Sequence, residues 1–151
     1  MELRLGLCIG EVPGRDALTR RARERGCTLF HPPGPGYECV RYGLLDQTEG
    51  NAAVARIVKE RRAVIATHVL AGGLLSGGDP RVRPFEFLIR PGRTLVQAAI
   101  QFVLANESVS AAIVRVSSLE HLEEVLSAPD APPLTGRDLE GIFEAYAHRF
   151  D

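Results

Sequence analysis

The sequence predicts an α/β fold built on a parallel sheet, and two patterns along the chain indicate it. Four short apolar runs typical of strands alternate with segments of helical period, and one further helix follows. No two runs are joined by the two-residue turn of a hairpin, so each strand returns through a helix, which makes neighbouring strands parallel. We therefore expect four strand–helix units plus a C-terminal helix, in one domain over residues 1–151.

Apolar, β-branched runs place the strands, and helical spacing with capping residues places the helices. The predicted strands are Leu3–Gly10, Cys39–Leu45, Ala63–Leu70 and Ser110–Val116. The predicted helices are Gly14–Arg25, Glu49–Arg61, Thr94–Leu104, Ser117–Ser127 and Thr135–His148. Three of these helices begin with a capping-box pattern, read as Thr94 with Gln97, Ser117 with Glu120, and Thr135 with Asp138.

Two connections contain too much proline and glycine for long regular elements. Residues 31–37 (HPPGPGY) predict a stiff, exposed loop. The longer stretch 71–92 contains Pro80, Pro84 and Pro91, and a connection of that length predicts a functional or mobile loop. Its first residues complete the run AVIATHVLAGGLLSGG (residues 63–78), in which a strand delivers a glycine loop at its carboxyl end, as in many α/β ligand sites.

Composition excludes several classes of function. Hydrophobic residues make up 45% of the chain and charged residues 25%, with a formal net charge of −1, so neither nucleic acid nor a membrane is expected as a partner. No apolar run approaches the roughly 18 residues that span a bilayer, and no secretory signal is recognisable. The three cysteines lack CxxC spacing, which favours reduced thiols and a cytoplasmic protein without a zinc site.

Four runs follow one another in a fixed order: RYGLLDQTEG, VIATHVLAGGLLSGG, TLVQAAIQFVLANESVSAAIVRVSSLEHLEEVL and PLTGRDL. Together they resemble the C-terminal half of an aldo-keto reductase. The resemblance implies half of a (β/α)8 TIM barrel, with the four strands standing as strands five to eight, and an NADP(H)-linked ancestry. The family's catalytic tyrosine, lysine, aspartate and histidine belong to the first half of that barrel. None of the four is therefore expected here, and Lys59, the single lysine, is predicted on the outer side of a helix.

The same resemblance implies an NADP site in weakened form. Cys39 stands where the family has a glutamine for the nicotinamide amide, and Thr67 or His68 replaces an aromatic ring that stacks on it. Near the adenosine phosphate, Arg115 keeps a cation, while Val116 and Val125 replace hydrogen-bonding residues. The candidate cofactor-binding residues are Cys39, Thr67, His68, Gly72, Gly73, Arg115, Ser117, His121 and Glu124.

Half a barrel would leave two open sheet edges, expected on the first and the last strand. Closure by a second copy would remove both edges, so we expect a homodimer. A separately encoded N-terminal half, or a monomer whose own loops cover the edges, are the alternatives.

Three functions remain open from sequence. The chain could be a ligand- or partner-binding remnant without reductase activity of its own, taking a nucleotide or another small molecule. It could be an enzyme, either an NADP-dependent reductase completed by a second chain or a non-redox enzyme using the barrel mouth. The mouth residues would be Cys8, Glu11, Arg41, His68 and Arg115. It could also be a folded fragment without a role.

Overall fold

The computed structural model describes residues 5–9, 13–29, 36–76 and 78–148. The strands in these ranges are β1 (Leu5–Ile9), β2 (Thr28–Leu29), β3 (Tyr37–Arg41), β4 (Ala63–Thr67) and β5 (Ala111–Val116). The α-helices are α1 (Arg15–Glu24), α2 (Gln47–Lys59), α3 (Leu95–Ala105), α4 (Leu119–Leu126) and α5 (Gly136–Ala147). Short 3-10 helices cover Pro80–Leu88 and Ala128–Asp130, and a 3-10 segment with a kink of non-helical backbone at Gly72 and Gly73 covers Ala71–Ser76. The predicted alternation of strands and helices with a C-terminal helix is confirmed.

All described strands form one parallel sheet in the order β2-β1-β5-β4-β3. β1 pairs with β5 along its whole length, from Leu5 opposite Ala112 to Ile9 opposite Val116. The first and last predicted strands are therefore neighbours, and the expectation that they form the open edges is wrong. In a closed eight-stranded barrel the first strand lies beside the last. The observed order thus fits the first two and the last three strands of such a barrel, and the open edges are β2 and β3.

The core lies between the sheet and its helices, and on the other face of the sheet the side chains of β4 and β5 keep at least partial exposure. In β4, Val64 and Ala66 are fully buried, whereas Ala63, Ile65 and Thr67 keep partial exposure. β5 repeats this alternation, because successive side chains of a strand point to opposite faces. The buried face packs on apolar residues of the helices, including Ile57, Ile100 and Leu122. The opposite face corresponds to the inside of a barrel.

One strand was not predicted, and the bounds of two predicted strands need correction. β2 was missed, since a two-residue strand carries no periodic signal. β3 begins at Tyr37 and ends at Arg41, earlier than predicted, because the chain turns at Gly43, whose carbonyl accepts the Asp46 N–H at 3.1 Å. β4 ends at Thr67 because His68 adopts a left-handed backbone with φ 60°.

Helix capping follows the sequence pattern at two of the three predicted boxes. Both reciprocal hydrogen bonds are present for Thr94 with Gln97 and for Thr135 with Asp138. The third box is wrong by one residue, because the Ser118 hydroxyl accepts the His121 N–H at 3.1 Å and Ser117 precedes the cap.

The connection between β4 and α3 is also more ordered than predicted. The 3-10 helix Pro80–Leu88 begins behind the capping carboxylate of Asp79 and buries Val82, Phe85 and Leu88.

Candidate functional site

A cavity of about 560 Å³ opens at the carboxyl ends of β1, β4 and β5. Parallel strands bring their carboxyl ends to one edge of a sheet, which is where α/β proteins build their sites. The cavity is lined by seven of the nine predicted cofactor residues: Thr67, His68, Gly72, Gly73, Arg115, Ser117 and His121. Cys8, at the end of β1, lines it as well. We call this space the strand-end cavity.

One wall of the strand-end cavity is a tight backbone turn after β4. The His68 carbonyl accepts the Ala71 N–H at 2.8 Å, and the Leu70 carbonyl accepts the Gly73 N–H at 3.0 Å. Gly72 and Gly73 have φ values of 68° and 93°, which glycine adopts without the steric cost that a Cβ would add. His68 holds a positive φ without being glycine, a local strain that the surrounding turn maintains.

The opposite wall is suited to an anion. Arg115 projects from β5, is exposed, and forms no salt bridge within the described part of the chain. The N-terminus of α4, capped by Ser118, begins directly after Ser117 and favours negative charge. The Nε2 atom of His121 is buried and has no hydrogen-bond partner among the described residues. Arg115, Ser117 just before the N-terminus of α4, and His121 therefore line the same cavity.

The remaining two predicted residues lie elsewhere. Glu124, one helical turn beyond His121 on α4, lines a second cavity of about 560 Å³ with Leu75, Ser76 and the N-terminus of α3. The 3-10 helix Ala71–Ser76 contributes to both cavities, with its glycines in the first and its last two residues in the second. Cys39 lies on the edge strand β3 and lines neither. Partial burial, and after it the charge of Glu38, raise the pKa of its thiol.

A third cavity, of about 530 Å³, adjoins His68 from the other side and includes Arg41, Asp46 and Arg81. Arg81 was missed by sequence reasoning, although the pattern Asp79-Pro80-Arg81 at a helix start could have indicated a fixed arginine. Of the five mouth residues named above, Cys8, His68 and Arg115 line the strand-end cavity, Arg41 lines the third cavity, and Glu11 lies outside the described residues.

Within the described ranges, no group of three or more histidine, cysteine or acidic side chains could hold a metal ion. The same ranges contain no helix with both the length and the hydropathy to cross a membrane.

Comparison with known proteins gives a likeness in structure. No protein-family model and no curated protein matches the sequence. Among solved structures, aldo-keto reductase AKR11C1 from Bacillus halodurans in its apo form superposes with a TM-score of 0.58 at 18% identity, covering 91% of this chain and 49% of that one. Its holo form gives a TM-score of 0.61 at 18% identity, covering 85% of this chain and 45% of that one. The chain thus spans about half the length of this reductase, and it has the fold of a partial aldo-keto reductase barrel.

Proposed function

We propose that this protein is a nucleotide-binding remnant of the aldo-keto reductase barrel without reductase activity of its own. The observation that carries the proposal is the anion-suited wall of the strand-end cavity, made by Arg115, His121 and the N-terminus of α4. Guanidinium groups and helix N-termini are the usual partners of phosphate in proteins.

A dinucleotide such as NADP(H) fits the arrangement of the two cavities better than a mononucleotide. The strand-end cavity and the cavity of Glu124 share the 3-10 helix Ala71–Ser76 and one side of α4. An extended ligand lying across that 3-10 helix would place a phosphate beside Arg115 and its adenosine toward Glu124. One of the similar reductase structures is a holo form. The valines at 116 and 125 offer no hydrogen bond, so we expect affinity below that of a complete reductase.

The proposal that this chain lacks reductase activity is based on the position of the only lysine in the sequence. Lys59 is exposed at the C-terminal end of α2, just before β4 begins. The cavity lies at the other end of β4, beyond Thr67. This position supports the proposal that this chain alone does not assemble, at the strand-end cavity, the tyrosine–lysine pair implied by the family resemblance.

A partner chain is the second part of the proposal. The described sheet has five strands and ends at β2 and β3, whereas closure of the barrel needs eight. A second copy brings five strands and not three, so it would not reproduce the eight-stranded barrel, and we propose a homodimer because a second copy would cover both edges and the open face. A separate chain that supplied the three missing units would instead restore a complete barrel. That second candidate, a reductase completed in trans, is favoured by the location of the gap between β2 and β3.

Titration of NADPH, followed by its fluorescence, tests the nucleotide site. We expect saturable binding of NADPH and of 2′,5′-ADP, and a loss of about tenfold or more in affinity for both in Arg115→Ala, since a charge-assisted hydrogen bond is removed. Arg83→Ala is the matched control, because Arg83 is an exposed arginine that lines none of the three cavities. Unchanged affinity in Arg115→Ala would remove the phosphate assignment, and absence of any binding would remove the nucleotide proposal.

A further inference from the structure

We propose that the third cavity is a separate binding site for a small apolar carboxylate. It lies between the carboxyl ends of β3 and β4 and the 3-10 helices that follow β4. Its volume of about 530 Å³ falls in the range of small-molecule sites. Its lining contains the charged residues Arg41, Asp46 and Arg81, and most of the other lining residues are apolar. The site does not depend on the proposed nucleotide function, because only His68 lines both this cavity and the strand-end cavity.

Arg81 supplies a fixed cationic group. Its Nε and Nη2 atoms donate to the two carboxylate oxygens of Asp79, each at 2.9 Å, and its backbone N–H donates to the same carboxylate at 2.9 Å. These bonds lower the pKa of Asp79 to about 2, so the pair stays ionised at neutral pH. Asp79 itself does not line the cavity, and Nη1 of Arg81 takes no part in this pairing. The guanidinium is thus held in place while part of its donor edge stays available to a ligand.

Arg41, the last residue of β3, adds a second cation to the lining of the cavity. Its Nη2 lies 3.5 Å from the carboxylate of Asp46, a loose contact with the arginine side chain 66% exposed. Surface pairs of this kind contribute little and exchange partners readily. The lining therefore contains two arginines and one carboxylate, since the Asp79 that pairs with Arg81 lies outside it, and this balance favours an anion in the cavity.

The rest of the lining selects the remainder of the ligand. Leu45, Leu74, Pro80 and Pro84 form apolar surface beside the two guanidinium groups. An inorganic anion would use the arginines and leave this surface wet, whereas an aromatic or aliphatic acid would use both. The chemistry of the lining therefore indicates a monocarboxylate with a compact apolar body.

Benzoate and benzamide test the proposal, because they share a shape and differ in charge. In an NMR chemical-shift titration of the full chain without nucleotide, we expect benzoate to shift the amides of residues 41–46 and 79–84 saturably and benzamide to bind at least about tenfold more weakly. Arg81→Gln should weaken benzoate by a similar factor. Arg83→Gln, two residues along the same 3-10 helix and outside the lining, should leave it unchanged.

Three results would overturn the site. Equal affinity for benzamide and benzoate would show that the charge of the ligand plays no part. Equal affinity for sulfate and benzoate would show that the apolar lining plays no part and that the cavity binds any small anion. Equal losses in Arg81→Gln and Arg83→Gln would reflect general surface charge. The titration uses no nucleotide, so failure of NADPH to bind would leave its outcome unaffected.

Discussion

The guanidinium of Arg93 meets the carboxylate of Asp138 inside the protein, with Nη2 and Oδ2 3.3 Å apart and side-chain exposures of 0% and 2%. Arg93 also donates to three backbone carbonyls, those of Leu88 at 3.0 Å, Pro132 at 3.1 Å and Pro133 at 2.9 Å. Asp138 accepts the Thr135 N–H at 2.9 Å as part of the cap of α5. One buried arginine thus ties the end of the long β4–α3 connection to the start of the C-terminal helix.

Replacing Arg93 should be among the most destabilising single changes in the chain. Arg93→Met would fill much of the same space but would leave three backbone carbonyls without their side-chain donor, while Asp138 would keep Arg90 and the Thr135 N–H as partners. We expect a loss of about 3 kcal/mol or more in the free energy of unfolding, since an unsatisfied buried group costs about 1–3 kcal/mol. Urea unfolding followed by circular dichroism measures this. Arg83→Met, at an exposed position of the 3-10 helix Pro80–Leu88, should change stability by no more than about 0.5 kcal/mol. A loss in Arg93→Met no larger than in this control would contradict the role given to the buried pair.

The same pair predicts a loss of stability in acid. Burial alone would raise the pKa of Asp138, but hydrogen bonds from Thr135 and the charges of Arg90 and Arg93 outweigh it and lower that pKa from its ordinary 3.8. A lowered folded-state pKa stabilises the protein at pH values above 3.8, and this contribution is lost as the pH falls through 3.8 toward the lowered value.

Urea midpoints measured from about pH 7 to about pH 3 check this expectation. Asp138→Asn should be clearly less stable than wild type at neutral pH, with the difference shrinking in acid. Asp130→Asn, which changes an exposed aspartate, should run parallel to wild type. A constant difference between wild type and Asp138→Asn across the range would mean that titration of this carboxylate does not contribute.

The sequence could predict those parts of the fold that depend on local residue patterns. Strand–helix alternation and the capping boxes at Thr94 and Thr135 depend on neighbouring residues, so they could be read directly. The pairing of β1 with β5 joins residues more than a hundred positions apart, as Leu5 opposite Ala112 shows, and no local pattern specifies it. Reading the four predicted strands as consecutive therefore misplaced the open edges.

The residues of the candidate site likewise fall into those whose location the sequence could predict and those whose location it could not. Seven predicted residues share one cavity because each follows or ends a strand, and parallel strands end together. Glu124 shares α4 with His121 but faces the next cavity, and Cys39 sits too far from the end of β3 to reach either. Which of three adjoining cavities a side chain lines depends on the course of the β4–α3 connection, and its 3-10 helices carry no periodic signal in sequence.

Two glycines in helices should respond oppositely to alanine. A Cβ on Gly50 of α2 would lie 2.6 Å from the ring of Tyr42 and 2.8 Å from the carbonyl oxygen of Arg41, so backbone would have to move. The Tyr42 ring is itself fixed, stacked on Phe102 with centroids 5.7 Å apart and bonded through its hydroxyl to Asn106. We expect Gly50→Ala to destabilise by about 1–3 kcal/mol despite its better helix propensity.

Gly141 of α5 is the matched case. A Cβ there would meet only the ring of Phe87 at 2.9 Å, and Phe87 is 43% exposed and can turn aside. Gly141→Ala should therefore be neutral or stabilise by up to about 1 kcal/mol through helix propensity. Thermal unfolding of both variants measures the difference. Similar losses in both would show that the approach of α2 to β3 is not constrained by Gly50.

The free side of β3 offers a direct test of the proposed homodimer. The Tyr42 N–H donates to the Thr67 carbonyl at 3.2 Å, and the Val40 carbonyl accepts the Thr67 hydroxyl. The backbone N–H and C=O groups of the even-numbered residues in this segment therefore point toward β4. In a parallel pair the bonding direction alternates along the strand, which points the N–H of Cys39 away from β4. Cys39→Pro removes that donor while sparing the ladder with β4, and Cys39→Ser keeps it.

We expect light scattering to give the mass of two chains at micromolar concentration for wild type and for Cys39→Ser, and of one chain for Cys39→Pro. Circular dichroism should show the same helix content in all three, which separates loss of association from loss of folding. A single-chain mass for wild type contradicts the homodimer and leaves a separate partner chain. A Cys39→Pro dimer would place the contact away from the β3 edge. A disulfide between two Cys39 side chains on mild oxidation would mean that two β3 strands pair antiparallel about a two-fold axis, an arrangement that extends the sheet instead of closing a barrel.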